Sequence, residues 1–211
     1  MFSNRGVSNL RLFGKRYGRF LVVIFALTWA LILLSPLETN AAEREGLMRA
    51  ASGPEASLLS PMWGPTIRQW STYIGVLANT HGLDPDFIAA VIEEESNGRI
   101  DGVSSVGAVG LMGVMPQGPG LEWRPTTEEL MIPAVNLRWG VAILAEVVRQ
   151  AGGDLASALA AYSGGWEHAG RAVPQAYAAN VLDNYARAVL IRQGISPDIA
   201  TRWTIAVEID K

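Results

Sequence analysis

The sequence predicts an all-α globular body preceded by an N-terminal signal or anchor segment. Two observations carry that prediction. From Pro65 onward, apolar residues recur at helical spacing in segments bounded by capping residues and by Gly or Pro. Alternating strand patterns are scarce, with Trp203 to Ile209 the single candidate. Of 211 residues, 49% are apolar and 18% charged, enough apolar content to fill a sizeable core and too much for a disordered chain. Cysteine is absent, which excludes disulfides, thiolate metal sites and thiol nucleophiles, and the two histidines, His81 and His168, cannot make a multi-histidine metal centre. The residues thus give no reason to expect a metal or any other cofactor.

At the N-terminus, five basic residues (Arg5, Arg11, Lys15, Arg16 and Arg19) precede an uninterrupted apolar run from Phe20 to Leu34. Ser35-Pro36 breaks the run, and the small residues Thr39-Asn40-Ala41-Ala42 follow. A basic stretch, an apolar stretch and a small-residue cleavage site make residues 1–42 an export signal, cut near Ala41 or Ala42. If it is retained instead, residues 20–37 would anchor the chain in the inner membrane, with the body on the far side from the cytoplasm. Setting this segment's five bases and one acid (Glu38) aside from chain totals of 17 and 20 leaves 12 basic and 19 acidic residues, a charge of −7. An acidic body is unsuited to nucleic acid. Residues 43–64, punctuated by Gly53-Pro54, Ser60-Pro61 and Gly64-Pro65, read as a linker.

The body, 65–194, opens with a helix from Pro65 to His81 in which Ile67, Trp70, Ile74, Leu77 and Ala78 share a face and Gly82 supplies the stop. Asp84 caps a second helix with Pro85 at its first position, running through FIAAVIEEES to Asn97-Gly98. A Gly/Ser-rich stretch leads into a short apolar segment ending at Pro116. Thr126 and Glu129 have capping-box spacing for a short helix. A longer helix spans about Ala134 to Ala151 and ends at Gly152-Gly153. Asp154 caps the next, to Tyr162, before Ser163-Gly164-Gly165. The last, about Pro174 to Gln193, carries Tyr177, Val181, Tyr185, Ala188 and Arg192 along one stripe. Residues 195–211 form a tail of unread function.

The candidate chemistry starts at three consecutive glutamates. On a wheel of ~100° per residue, the second helix's apolar positions Phe87, Ile88, Val91 and Ile92 define a core direction. Glu95 falls within ~10° of it, Glu94 ~90° away and Glu93 ~170° away. Glu95 alone should turn inward. Partial burial, the neighbouring acidic charges and the negative end of the helix dipole all favour its protonated form. A carboxylic acid that keeps its proton near neutral pH can act as a general acid in glycoside cleavage. A solvated acidic run at a fraying helix end is the plainer alternative.

Glu95-Ser96 is followed by Ser105-Val-Gly-Ala-Val-Gly-Leu-Met-Gly-Val-Met-Pro116, then Ala161-Tyr162-Ser163-Gly164-Gly165, then Tyr177, with Asn136 and Gly140 between. No Gly-Lys-Ser/Thr follows the glycines, so they are not a phosphate loop. In this order and at this spacing, over roughly residues 66–192, the sequence resembles the soluble lytic transglycosylase / goose-type lysozyme family, whose members cleave peptidoglycan. The pattern is an ES pair ending a helix, S-x-G-A-x-G-L-M-Q-x-x-P, an N-x-x-x-G helix, A-Y-N-A-G, and a late tyrosine.

The resemblance implies a lysozyme-like α-rich fold and makes Glu95 the catalytic acid and then base, acting on the bond between N-acetylmuramic acid and N-acetylglucosamine and leaving 1,6-anhydro ends. It places Ser96, Leu111, Met112, Gly113, Tyr162, Ser163 and Tyr177 around the glycan strand. Plainer roles stand beside these: Ser96 as a helix cap, Gly113 as a turn residue, Leu111 and Met112 as core residues, Tyr162 and Tyr177 as packing. Asp101 and Glu122 lie in loops and face solvent, so no second carboxylate is placed as a nucleophile.

Two residues depart from the pattern: Gly113 stands where the family has Gln, and Ser163 where it has Asn. Both family residues offer polar contacts near the sugar. The departures leave open a lysozyme-type hydrolase, or a wall-binding or assembly protein with weakened catalysis.

Overall fold

The computed structural model describes residues 59–196, 198 and 199. Residues 1–42, expected to be an export segment, most of the stretch expected to be a linker, and the strand candidate 203–209 lie outside the described residues. Those described belong to one compact unit. Seven helices follow in chain order: α1 Pro65–Arg68, α2 Ser71–His81, α3 Pro85–Ser96, α4 Thr127–Leu130, α5 Pro133–Gln150, α6 Leu155–Gly164 and α7 Ala172–Arg192. The described residues form no regular strand. Two isolated bridges, Val103 to Val109 and Val109 to Val114, fold the stretch between α3 and α4 onto itself.

Helix α3 is the centre of the body. Asp84 caps it by accepting the Asp86 N–H at 2.8 Å, and Pro85 occupies its first turn. Phe87 to Ile92 are at most 2% exposed, because α1, α2 and α7 all pack against this helix. At roughly 2 kcal/mol per large buried aliphatic side chain, Ile88, Val91 and Ile92 alone are a strong anchor. Near the start of α3, Phe87 meets Tyr185 of α7 edge to face, with ring centroids 5.4 Å apart. The helix ends abruptly. Asn97 adopts the left-handed conformation at φ 54° and returns its N–H to the Glu93 carbonyl at 3.0 Å.

The sequence predicts one helix from Pro65 to His81, but the structure divides it. Trp70 sits at φ −97°, ψ 3°, outside the helical region, so α1 stops at Arg68 and α2 restarts at Ser71. Ile67, Ile74, Leu77 and Ala78 are buried on both sides of the bend, so the apolar spacing continues through it and conceals it. The expected capping box is present at Thr126 and Glu129, and Asp154 caps α6. Helices α6 and α7 pair most extensively, and α5 lies against α6 and α2.

Packing also begins earlier than the turn-rich sequence suggests. Leu59, Ser60 and Trp63, in the stretch read as linker, are 1%, 0% and 3% exposed. Their anchor is Asp86, fully buried in the first turn of α3. Its Oδ1 accepts the Ser60 N–H at 2.7 Å and the Trp63 indole N–H at 2.8 Å. Its Oδ2 lies 3.0 Å from Arg192 at the end of α7, and Arg192 also pairs with Asp84 at 2.8 Å. A buried carboxylate requires such partners. Asp86 thereby joins the start of the body, the central helix and the last helix.

Candidate active site

Glu95 occupies the last turn of α3, turned toward α7 and the folded stretch after α3. Tyr177 donates its hydroxyl to Glu95 Oε1 at 2.7 Å, across 82 residues of sequence. Glu94, a quarter turn away, reaches the outer side of α7, where Asn180 donates to its Oε1 at 3.0 Å. The wheel singles out the acid that reaches Tyr177, although Glu93, expected to face solvent, is half-buried like the other two. Its carboxyl is pushed up to about 7, first by burial and then by the Glu94 charge, while the Tyr177 hydrogen bond pulls in the opposite direction. Glu93 to Asn97 and Arg99 line a surface cavity of about 540 Å³ at this helix end.

The wall facing Glu95 is residues 109–114. Val109 and Val114 exchange backbone hydrogen bonds at 2.9 and 3.0 Å. Asn136 of α5, fully buried, holds the same stretch from behind. Its Oδ1 accepts the Met112 N–H at 2.9 Å, and its Nδ2 donates to the carbonyls of Val109 at 2.7 Å and Leu130 at 3.1 Å. One turn further along α5, Gly140 lets Met112 lie directly on the helix backbone, since a Cβ there would come within 2.6 Å of the Met112 sulfur. This gives the Asn136 and Gly140 spacing a physical reason: one fastens the wall and the other makes room for it.

The structure places the expected site residues unequally. Tyr177 touches Glu95. Tyr162, at the end of α6, donates its hydroxyl to the Met112 carbonyl at 2.8 Å, and burial together with the Glu95 charge raises its pKa well above the ordinary phenol value. Gly113 abuts the Glu95 carboxyl. Ser96 does not orient Glu95. Its hydroxyl donates to the Leu111 carbonyl at 2.9 Å and accepts the Gly98 N–H at 3.1 Å, tying the helix end to the wall.

Leu111 and Met112 need correction as sugar-lining side chains. Both are 0% exposed and point into the core, and their carbonyls bind Ser96 and Tyr162 instead. Alternation along a turn-rich stretch does not say which of its apolar residues faces the core. Ser163 is exposed beside Tyr162, and the loop acids Asp101 and Glu122 are exposed. His168 caps the end of α6, its Nδ1 3.2 Å from the Gly164 carbonyl.

Two neighbours escaped the sequence reading. Arg124 donates to the Met115 carbonyl at 3.2 Å, and its charge acts on Tyr162. A lone cation in a loop gives no sequence signal. Asn180 is one exposed amide among many, and only its place one turn after Tyr177 could have singled it out. Among the described residues, no three His, Asp or Glu side chains are grouped to hold a metal, and no helix is long and apolar enough to cross a membrane.

Glu95 is thus an inward acid on a central helix, facing a Gly-rich wall held by a buried amide. Residues 72–183, more than half of the chain, match the model of the transglycosylase SLT domain, and the chain belongs to that family. A transglycosylase of Enterobacteria phage PRD1 is 34% identical over 122 residues, covering 55% of this chain and 43% of its own length. An endo-type membrane-bound lytic murein transglycosylase A of Klebsiella pneumoniae is 35% identical over 98 residues, 40% of this chain and 48% of that protein. The chain thus matches less than half the length of these relatives. Among solved structures, an inactive mutant of the lytic transglycosylase Slt from Pseudomonas aeruginosa superposes with a TM-score of 0.50 at 27% identity, over 59% of this chain and 24% of that one.

Proposed function

We propose that the protein is a peptidoglycan lytic transglycosylase that cleaves the β-1,4 bond between N-acetylmuramic acid and N-acetylglucosamine, with Glu95 as its single acid and base. The observation that carries this reading is the state of Glu95: half-buried, fixed by Tyr177 and with its carboxyl raised to about 7. Such a group gives up a proton and takes one back within the same pH range.

In the first step Glu95 donates its proton to the glycosidic oxygen as the bond to the muramoyl C1 breaks. The substrate's own N-acetyl oxygen bonds to C1 and carries the positive charge. In the second step the Glu95 carboxylate removes the proton of the muramoyl C6 hydroxyl. O6 then displaces the acetyl oxygen from C1, giving a 1,6-anhydro end without water. The exposed positions of Asp101 and Glu122 support a mechanism without a carboxylate nucleophile.

Residues 1–42 would export the body to the cell wall compartment, or hold it at the inner membrane through residues 20–37. The membrane-bound relative from Klebsiella is in keeping with either arrangement. The catalytic body would run from residue 59 to about 194, and the glycan strand is its proposed partner.

Digestion of purified peptidoglycan, followed by fragment masses, tests the reading. Anhydro ends are expected, and Glu95→Gln should abolish their release while the protein stays folded. Fragments one water heavier would indicate a hydrolase on the same site. No release from the native protein, or cleavage retained by Glu95→Gln, would overturn the proposed activity.

A further inference from the structure

We propose that Gly113 is a positioning residue for Glu95: the space left by its missing side chain is the slot in which the Glu95 carboxyl sits opposite Tyr177. The inference rests on the catalytic reading of Glu95 and adds what fixes that acid in place. A Cβ built on Gly113 would lie within 2.8 Å of the Glu95 carboxyl carbon and would collide with Oε2. The other carboxyl oxygen, Oε1, is the one that accepts from Tyr177. The carboxyl is therefore held between a phenol on one side and bare backbone on the other.

The backbone side cannot retreat. Gly113 is at φ 57°, and its N–H returns to the Gly110 carbonyl at 3.3 Å. On one side of it the Met112 amide is held by Asn136 and the Met112 carbonyl by Tyr162. On the other, Val114 is paired to Val109 in both directions. With the backbone of this chain so held, a methyl group at this position must move the other partner, the glutamate side chain, outward and off Tyr177. The glycine that looks in the sequence like a lost sugar contact thus takes part in placing the acid.

Gly113→Ala tests this directly, because a single methyl group fills the slot. We expect kcat to fall at least tenfold with KM changed less than threefold. The alkaline limb of the kcat profile should move to lower pH by about a unit, because burial is the largest cause of the raised carboxyl and an expelled acid loses it. Gly152→Ala controls for strain alone: Gly152 also has positive φ, 64°, but a Cβ there meets nothing within 4 Å. It should lower Tm without changing the profile.

A stability cycle provides a readout independent of catalysis. Gly113→Ala should lower Tm substantially when residue 95 is Glu, and much less in the Glu95→Ala chain, where the colliding carboxyl is gone. If Gly113→Ala alone fails to fold, its recovery by Glu95→Ala is the same test. Additive Tm changes, or an unmoved pH limb, would overturn the slot. Retained cleavage by Glu95→Gln would overturn the catalytic reading and leave the stability cycle to decide the slot on its own.

Discussion

At the scale of single residues, the raised Glu95 carboxyl has a consequence for stability as well as for chemistry. Below the ordinary glutamate value of 4.5 the folded and unfolded chains both hold the proton, and nothing is lost. Between 4.5 and about 7 the unfolded chain ionises first, so stability falls as pH rises, and the loss is complete above 7. At 1.36 kcal/mol per pH unit it amounts to about 3 kcal/mol. Urea denaturation at pH 4 and pH 8 should show Glu95→Gln gaining on the native protein by about that much at the higher pH. Tyr177→Phe makes the opposite kind of change. It removes the hydrogen bond that favours the charged form, so the alkaline limb of kcat should move to higher pH, with kcat reduced about tenfold. The inward turn of Glu95 was legible because three residues of one helix differ by a full half-turn on the wheel. What Tyr177 does was not: its partner is 82 residues away, and periodicity carries no information over that distance.

At the scale of elements, the site is a junction between one helix end and one irregular wall. The wall has no regular structure of its own and depends on Asn136 for two hydrogen bonds, while a third ties Asn136 to Leu130 of α4. Asn136→Ala would leave the Met112 N–H and the carbonyls of Val109 and Leu130 buried without that partner. A loss of about 3 kcal/mol or more is expected in urea unfolding, with kcat reduced as the wall loosens. Helix positions were read well from caps: Asp84, Thr126 and Asp154 begin α3, α4 and α6 as predicted. The break at Trp70 was hidden, since a bend that keeps the same face buried leaves the spacing of apolar residues intact. The orientation of Leu111 and Met112 was hidden for a related reason. A tight turn reverses direction too often for any fixed period to assign its faces.

At the scale of the whole body, the helices are closed into one unit by a polar knot whose members are spread from residue 60 to residue 192. Asp86 binds Ser60, Trp63 and Arg192, and nothing in its position within the Asp-Pro-Asp start of α3 distinguishes it from an ordinary first-turn acid. Removing residues 1–64 would expose the surface under Leu59 and Trp63 and deprive a buried carboxylate of two donors. Such a shortened chain, beginning at Pro65, should lose about 3 kcal/mol and melt roughly 10 °C lower than one beginning at residue 50, as followed by circular dichroism. Equal melting temperatures would show the knot to be dispensable. The family model matches residues 72–183, a stretch that holds Asp86 but leaves Ser60 and Trp63 before it and Arg192 after it. Heredity and folding therefore draw the border of this module in different places, and a graft cut along the inherited border would keep Asp86 but leave behind all three residues that bolt it to the start and the end of the body.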